Sequence, residues 1–184
     1  MMKKIFALIL IALLPACATT SQDARIEIYP NVESSNIGNG VALSITVDDA
    51  RPSGVIGKID ERSQIITSQD LAQLIGVALV DSYSKQGFNV GGANNPNAVQ
   101  MRVTLEDLSY FRDGSLVSTY VETKSRMKVD VSSKGFIRTY SNSEDRTVPF
   151  SSNEATNNSQ LRSILERIVE KIVNDGELIA AILR

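Results

Sequence analysis

Apolar and polar residues alternate from Val41 to Asp48: Val41, Leu43, Ile45 and Val47 stand against Ala42, Ser44, Thr46 and Asp48. That period of two is the signature of a half-buried strand. The stretch RIEIYP alternates in the same way and predicts a strand from Arg25 that Pro30 stops, with the polar loop NVESSNIGNG after it. DDARPSGVIGKIDERSQIIT reads as a turn followed by a short strand pair. The period then changes. Leu71, Leu74, Ile75, Ala78, Leu79 and Tyr83 recur at helical spacing and predict an amphipathic helix. Thr67 or Ser68 can cap its start and Gly87 can end it. GFNV suits a short strand leaving the helix.

Three longer strands follow. Val99, Met101, Val103 and Leu105 share one face, and Asp113-Gly114 is a strong hairpin signal. From Leu116 to Ser132 the odd positions Val117, Val121, Met127, Val129 and Val131 are apolar, while Glu122, Lys124, Arg126, Lys128 and Asp130 occupy the even ones. SSKG turns the chain into a strand from Phe136 to Pro149. Leu161, Ile164, Leu165, Ile168, Val169, Ile172 and Val173 then mark a second amphipathic helix, broken near Gly176 and followed by a short helical tail. There is no internal repeat. The pattern predicts an α+β domain: an antiparallel-rich sheet with two amphipathic helices packed on one face and the opposite face largely solvated.

The first residues follow another rule. Lys3 and Lys4 precede an apolar run of ten residues, Ile5 to Leu14, closed by Pro15, Ala16 and Cys17. A charged start, an apolar stretch of about 7–15 residues and small residues at the cut describe a secretory signal peptide. The run is too short for a membrane span, which needs about 20 apolar residues. Leu14-Pro15-Ala16-Cys17 resembles a bacterial lipobox, with proline where the motif usually has Ala or Ser. The resemblance implies cleavage before Cys17 and acylation of its thiol and new amine. Several acyl chains hold a protein firmly where one would not. Ala18 in place of Asp favours the outer membrane by the usual sorting rule. The expected organisation is a signal peptide over 1–16, the lipidated Cys17 with a tether over 17–24, and a single periplasmic domain over 25–184. The tether ATTSQDA reaches roughly 25 Å when extended, so the domain works close to the membrane.

Composition narrows the chemistry. The chain of 184 residues has a net charge of -2, one cysteine, no histidine and no tryptophan. The charge argues against non-specific nucleic-acid binding, which needs clustered cations. One cysteine forms no internal disulfide. Without histidine, the commonest zinc sites and the Ser-His and Cys-His nucleophile systems are excluded. No cofactor or metal is expected, and the chain reads as a non-enzyme.

VALSITVDDAR, followed by SQIITSQDLAQLIGVALVDSYSKQGFNV, is similar to the central region of the YajG family of bacterial lipoproteins, and the resemblance covers essentially the whole mature domain. It implies a lipoprotein anchored to the outer membrane, facing the periplasm, with no known cofactor and no assigned biochemical role.

Several clusters are candidates for function. Asp48, Asp49 and Arg51 gather at a strand end and form a weak polar site, or simply pair with one another. SNSEDR (Ser141 to Arg146) gathers acceptors without the spacing of a calcium loop and reads as solvated strand. GFNVGGANNPN is glycine-rich but opens no helix, so it makes no phosphate cradle. The adjacent pairs Glu106/Asp107 and Glu144/Asp145 would point to opposite faces of a strand. The charged stripe Glu122, Lys124, Arg126, Lys128, Asp130 is either a solvated sheet face or a partner-docking face, since mixed charge sets partner choice. Val77 and Val80 lie off the main apolar arc of the first helix and are a second contact candidate. The expected function is a non-enzymatic adaptor that is joined to the membrane through Cys17 and presents the sheet face or an edge strand to an envelope protein. The alternative is binding of a lipid or cell-wall glycan in a cleft between helices and sheet.

Overall fold

The computed structural model describes residues 21–61, 63–91, 97–114, 118–149 and 153–184. The strands are β1 (Gln22–Asp23), β2 (Ala42–Asp49), β3 (Val55–Lys58), β4 (Gln64–Ile66), β5 (Asn89–Gly91), β6 (Val99–Gly114), β7 (Ser118–Val131) and β8 (Phe136–Pro149). The helices are α1 (Leu71–Lys85), α2 (Glu154–Val173) and α3 (Gly176–Leu183), with a short 3₁₀ turn at Ser132–Lys134.

The three long strands form the expected meander: β6 pairs antiparallel with β7, and β7 with β8. Gly135, at φ +66°, turns the chain from the 3₁₀ segment into β8. Asp113 and Gly114, expected at the hairpin turn, are still strand residues at the end of β6, opposite Tyr120 and Thr119, and Leu116 and Val117 lie outside the described residues. In β6 the buried face runs through Met101, Val103 and Leu105, then continues through Leu108 and Tyr110. The phase changes because Leu105 pairs with Met127 and Asp107 with Arg126, which leaves Glu106 as an extra, bulged residue. Without that bulge, every residue beyond it would be turned to the wrong face.

The sheet is mixed, where the alternation predicts an antiparallel-rich one. Among the described residues four of seven strand pairings are parallel: β1 with β4, β2 with β5, β2 with β6, and β3 with β6. The reason is the connection. Parallel neighbours need a long crossover, and the β3–β4 hairpin with α1 supplies it between β2 and β5. That hairpin is the expected short strand pair. It reaches β6 through Gly57, which lies opposite Tyr110. A Cβ on Gly57 would sit 2.0 Å from the Tyr110 carbonyl oxygen, so only glycine allows this approach.

The strand expected from Arg25 is also different. Ala24, Ile26 and Ile28 are buried, as alternation requires, but the assigned strand is Gln22–Asp23, just before them. From Ile26 onward the backbone bonds to side chains. Ile26 N–H donates to Gln69 Oε1 (2.6 Å), and Gln69 Nε2 donates back to the Ile26 carbonyl (3.1 Å). Tyr29 N–H and Asn31 N–H donate to Glu166 and Glu170 of α2 at 3.0 and 2.7 Å. The first described strand thus starts at Gln22, three residues before the alternation places one.

Asp70 caps α1, accepting from Gln73 N–H at 3.0 Å, in place of Thr67 or Ser68. Thr67 Oγ1 instead accepts from Gln69 N–H, and Ser68 bonds the Asp23 carboxylate. The other end closes as expected at Gly87, φ +85°. Gly87 N–H donates to Ser84 and Phe88 N–H to Tyr83, a Schellman closure completed by the edge-on contact of the Tyr83 and Phe88 rings at 5.4 Å.

Helix α1 packs on β2, and α2 packs on β7 and β8. Leu161, Ile164, Leu165, Ile168, Val169, Ile172 and Val173 are fully buried. The α2–β8 contact also has a polar seam: Arg167 pairs with Glu144 (2.6 Å), and Lys171 Nζ donates to the Ser141 carbonyl. At its end Asp175 caps α3 through Glu177 N–H and Leu178 N–H. It also accepts from Arg138 and Tyr140, each at 2.6 Å. Burial pushes the Asp175 carboxyl up, but the bonds from Tyr140, Leu178, Arg138 and Glu177 outweigh it and hold it below its ordinary value. A depressed folded-state pKa stabilises the fold above the unfolded carboxylate value of about 4 and loses that contribution as pH falls through the folded value. Asp175→Asn is therefore expected to lower stability at pH 7 by about 1.5–3 kcal/mol. The gap from the unsubstituted chain should narrow below about pH 4, as thermal melts across pH would show.

Candidate functional site

The outer edge of β2 leaves part of the sheet open. Asn89 N–H donates to the Val41 carbonyl (3.0 Å) on one side of β2, and Ala50 N–H donates to the Leu105 carbonyl (2.9 Å) on the other. Backbone polar groups alternate sides along a strand. The odd residues of β2 therefore turn theirs toward β5, and the even ones toward β6. Strand β6 accompanies β2 from Leu43 to Asp49, but β5 covers only Ala42 to Ser44. Among the described residues no strand pairs with the edge formed by Ile45, Val47 and Asp49.

An open groove of about 600 Å³ runs beside this edge. Ile45, Thr46 and Val47 form one wall, and Ala72, Gly76, Val77 and Val80 of α1 contribute the other. Val77 is 55% exposed. Ile45 and Val47 are only half buried, although their alternation points them at the core, because β5 stops before it can cover them. Asp70 and Asp81 stand in the lining, and no Lys or Arg does. The structure thus places Val77 and Val80 together with two residues that the sequence assigns to the core.

Gly76 stands in the middle of α1, where glycine costs about 0.8–1.0 kcal/mol relative to alanine. No positive φ requires it, and a Cβ there would meet only Val47 Cγ2, at an ordinary 3.6 Å. Nothing among the described residues asks for this glycine. Its effect is to leave space between helix and strand. A glycine inside a helical period is a sequence signal for this groove beside the off-arc Val77 and Val80.

The charged stripe lies along the outer face of β7, whose odd residues are buried. Much of it is paired: Lys124 with Glu122 at 2.8 Å and Arg126 with Glu106 at 3.4 Å. The hydrogen bond from Lys124 holds Glu122 below its ordinary pKa and raises that of Lys124. Asp130 accepts from the Ser132 hydroxyl. Lys128 lies on the same face, between Thr104 and Thr139 in register. Glu106 and Asp107 do not point to opposite faces as expected. The bulge lies between inward Leu105 and Leu108 and turns Glu106 to Arg126, while Asp107 accepts from the hydroxyl of Ser109, which alternates with buried Leu108 and Tyr110.

Arg51 folds back on Asp49, with Nε and Nη2 bonding its two carboxylate oxygens at 2.9 and 2.7 Å. This pair is internal, and Asp48 stands apart beside Arg102 at 3.6 Å. The hydrogen bond from Arg51 holds Asp49 below its ordinary pKa. In Ser141–Arg146, Glu144 faces α2 through Arg167 and Ser163. Cys17 and the central part of GFNVGGANNPN lie outside the described residues.

A protein-family model described as an uncharacterized lipoprotein matches residues 29–183. No curated protein matches the chain. Among solved structures, it is similar to a neuraminyllactose-binding hemagglutinin homolog from Helicobacter pylori, so described as putative, at 8% identity and TM-score 0.49. That match covers 86% of this chain and 95% of the other. It is also similar to an uncharacterized protein at 11% identity and TM-score 0.42, covering 82% and 99% of the two chains. A lipoprotein from Neisseria meningitidis matches at 12% identity and TM-score 0.29, covering 74% and 99%.

Removing the helical glycine tests whether its role is space alone. Gly76→Ala should raise the melting temperature of the domain by about 2–4 °C. Differential scanning calorimetry reads this directly.

Proposed function

Since the chain belongs to the uncharacterized lipoprotein family whose model spans residues 29–183, the YajG family that its sequence resembles, we propose that it is a lipid-anchored adaptor of the cell envelope. Cys17 carries the lipid, the tether is short, and the folded domain takes a partner protein at its surface on the periplasmic side of the outer membrane. The observation that carries this reading is the outer edge of β2 from Ile45 to Asp49, without a paired strand among the described residues, beside the apolar groove of α1. An exposed strand edge with an apolar flank is a template for association, and proteins commonly blunt such edges when they have no use for them. The charged face of β7 supports the reading less, because its ion pairs are satisfied within the chain.

A lipid or glycan ligand is the second reading. It is favoured by the size of the groove, which lies within the range of roughly 300–1,000 Å³ typical of small-ligand sites. The two readings differ in what would sit beside Val80.

Photo-crosslinking in living cells separates them, with a photoreactive residue placed at Val80, Lys124 or Lys128 in turn. The adaptor reading expects a discrete protein adduct from Val80 that is weak or absent from the two lysines. Adducts only to lipid or glycan would establish the second reading in its place. In the same cells, Cys17→Ser should abolish incorporation of labelled palmitate. Continued labelling would place the lipid elsewhere.

A further inference from the structure

From the same edge, and resting on the adaptor reading, we infer that the occupant of the groove is an extended, basic and apolar strand of a partner protein, which joins the sheet beside β2 as a continuation of the line of β5.

Three observations converge on that occupant. The backbone groups of Ile45, Val47 and Asp49 face an edge that β5 leaves at Ser44. Chemically this is a row of alternating donors and acceptors, and its complement is another strand. A globular surface or a sugar would leave part of the row unmade. Beside the edge, Val77, Val80 and the floor at Gly76 receive the inward side chains of such a strand. Alternate residues of an added strand point to one face, so they would be apolar. Gly76 gives those side chains room against Val47, which accounts for a helical glycine that the isolated chain does not need.

Charge decides the rest. Asp70 and Asp81 line the groove without any cation in it, and neither has an ion-pair partner among the described residues. Asp70 already caps α1, but both carboxylates keep their charge, which lysine or arginine flanking the apolar positions complements. A second copy of this chain would not. Two β2 edges placed together would bring both acidic rims into one interface, and like charges across an interface oppose pairing.

The test uses the folded domain from residue 22 within the full chain lacking its signal peptide, and two fluorescent synthetic peptides. Both have a core in which valine alternates with threonine; the valine–lysine peptide is flanked at both ends by lysine, and the valine–glutamate peptide by glutamate. Fluorescence anisotropy should show saturable binding of the valine–lysine peptide, with the valine–glutamate peptide weaker by about tenfold or more. Val47→Pro removes an edge N–H that β6 does not use, and Gly76→Leu fills the groove. Each should weaken binding by about tenfold or more, and each variant is first checked for a cooperative melt. Lys124→Glu, on the other face of the sheet, should leave binding unchanged. No binding of the valine–lysine peptide, equal binding of both peptides, or binding indifferent to Val47→Pro and Gly76→Leu would overturn the inference. A Val80 adduct to protein in cells combined with such a failure would sink strand addition while leaving the adaptor reading standing. Absence of both would remove both.

Discussion

The architecture depends on one topological constraint: β5 and β6 flank β2 on opposite edges and both run parallel to it. Gly91 ends β5 opposite Ser44, and Val99 begins β6 opposite Leu43. Only seven residues separate Gly91 from Val99, and among the described residues β5 accompanies β2 no further than Ser44. Among the described residues no strand covers that edge of β2 beyond Ser44. The open edge is thus a consequence of how the sheet is threaded, and the half-burial of Ile45 and Val47 follows from it.

The same constraint explains the length and shape of β6. Its first half serves β2, its later part receives β3 at Tyr110, and its other edge carries β7. A strand with so many partners must keep one face inward over sixteen residues while the sheet twists. The bulge at Glu106 does this by resetting the phase, so that Leu105 and Leu108 both reach the core. Its second effect is to gather carboxylates beside Arg126 and Lys124. The charged face of β7 is thus partly a product of sheet curvature and is neutralised within the chain.

The long meander was legible in the sequence because its signals are local: alternation in β7, Asp-Gly at the end of β6, and SSKG before β8. Helix α2 was legible for the same reason, and Gly87 marked the end of α1. The parallel pairings were not legible, because alternation in β2 says which side is buried and nothing about which strand lies beside it. The Arg25 segment misled because its alternation is real while its backbone bonds go to Gln69, Glu166 and Glu170, residues distant in sequence. In the candidate site, Val77 and Val80 stood out from the helical arc. Ile45 and Val47 could not, because only the short reach of β5 separates a core position from a groove wall.

The most direct measurement of the open edge is residue-resolved amide hydrogen exchange on the unliganded domain. The account predicts alternation: the Thr46 and Asp48 amides, bonded toward β6, exchange slowly, while those of Ile45 and Val47 exchange as freely as exposed backbone. Uniform protection from Ile45 through Asp48 would mean that another segment already pairs with this edge, and the docking site would not exist.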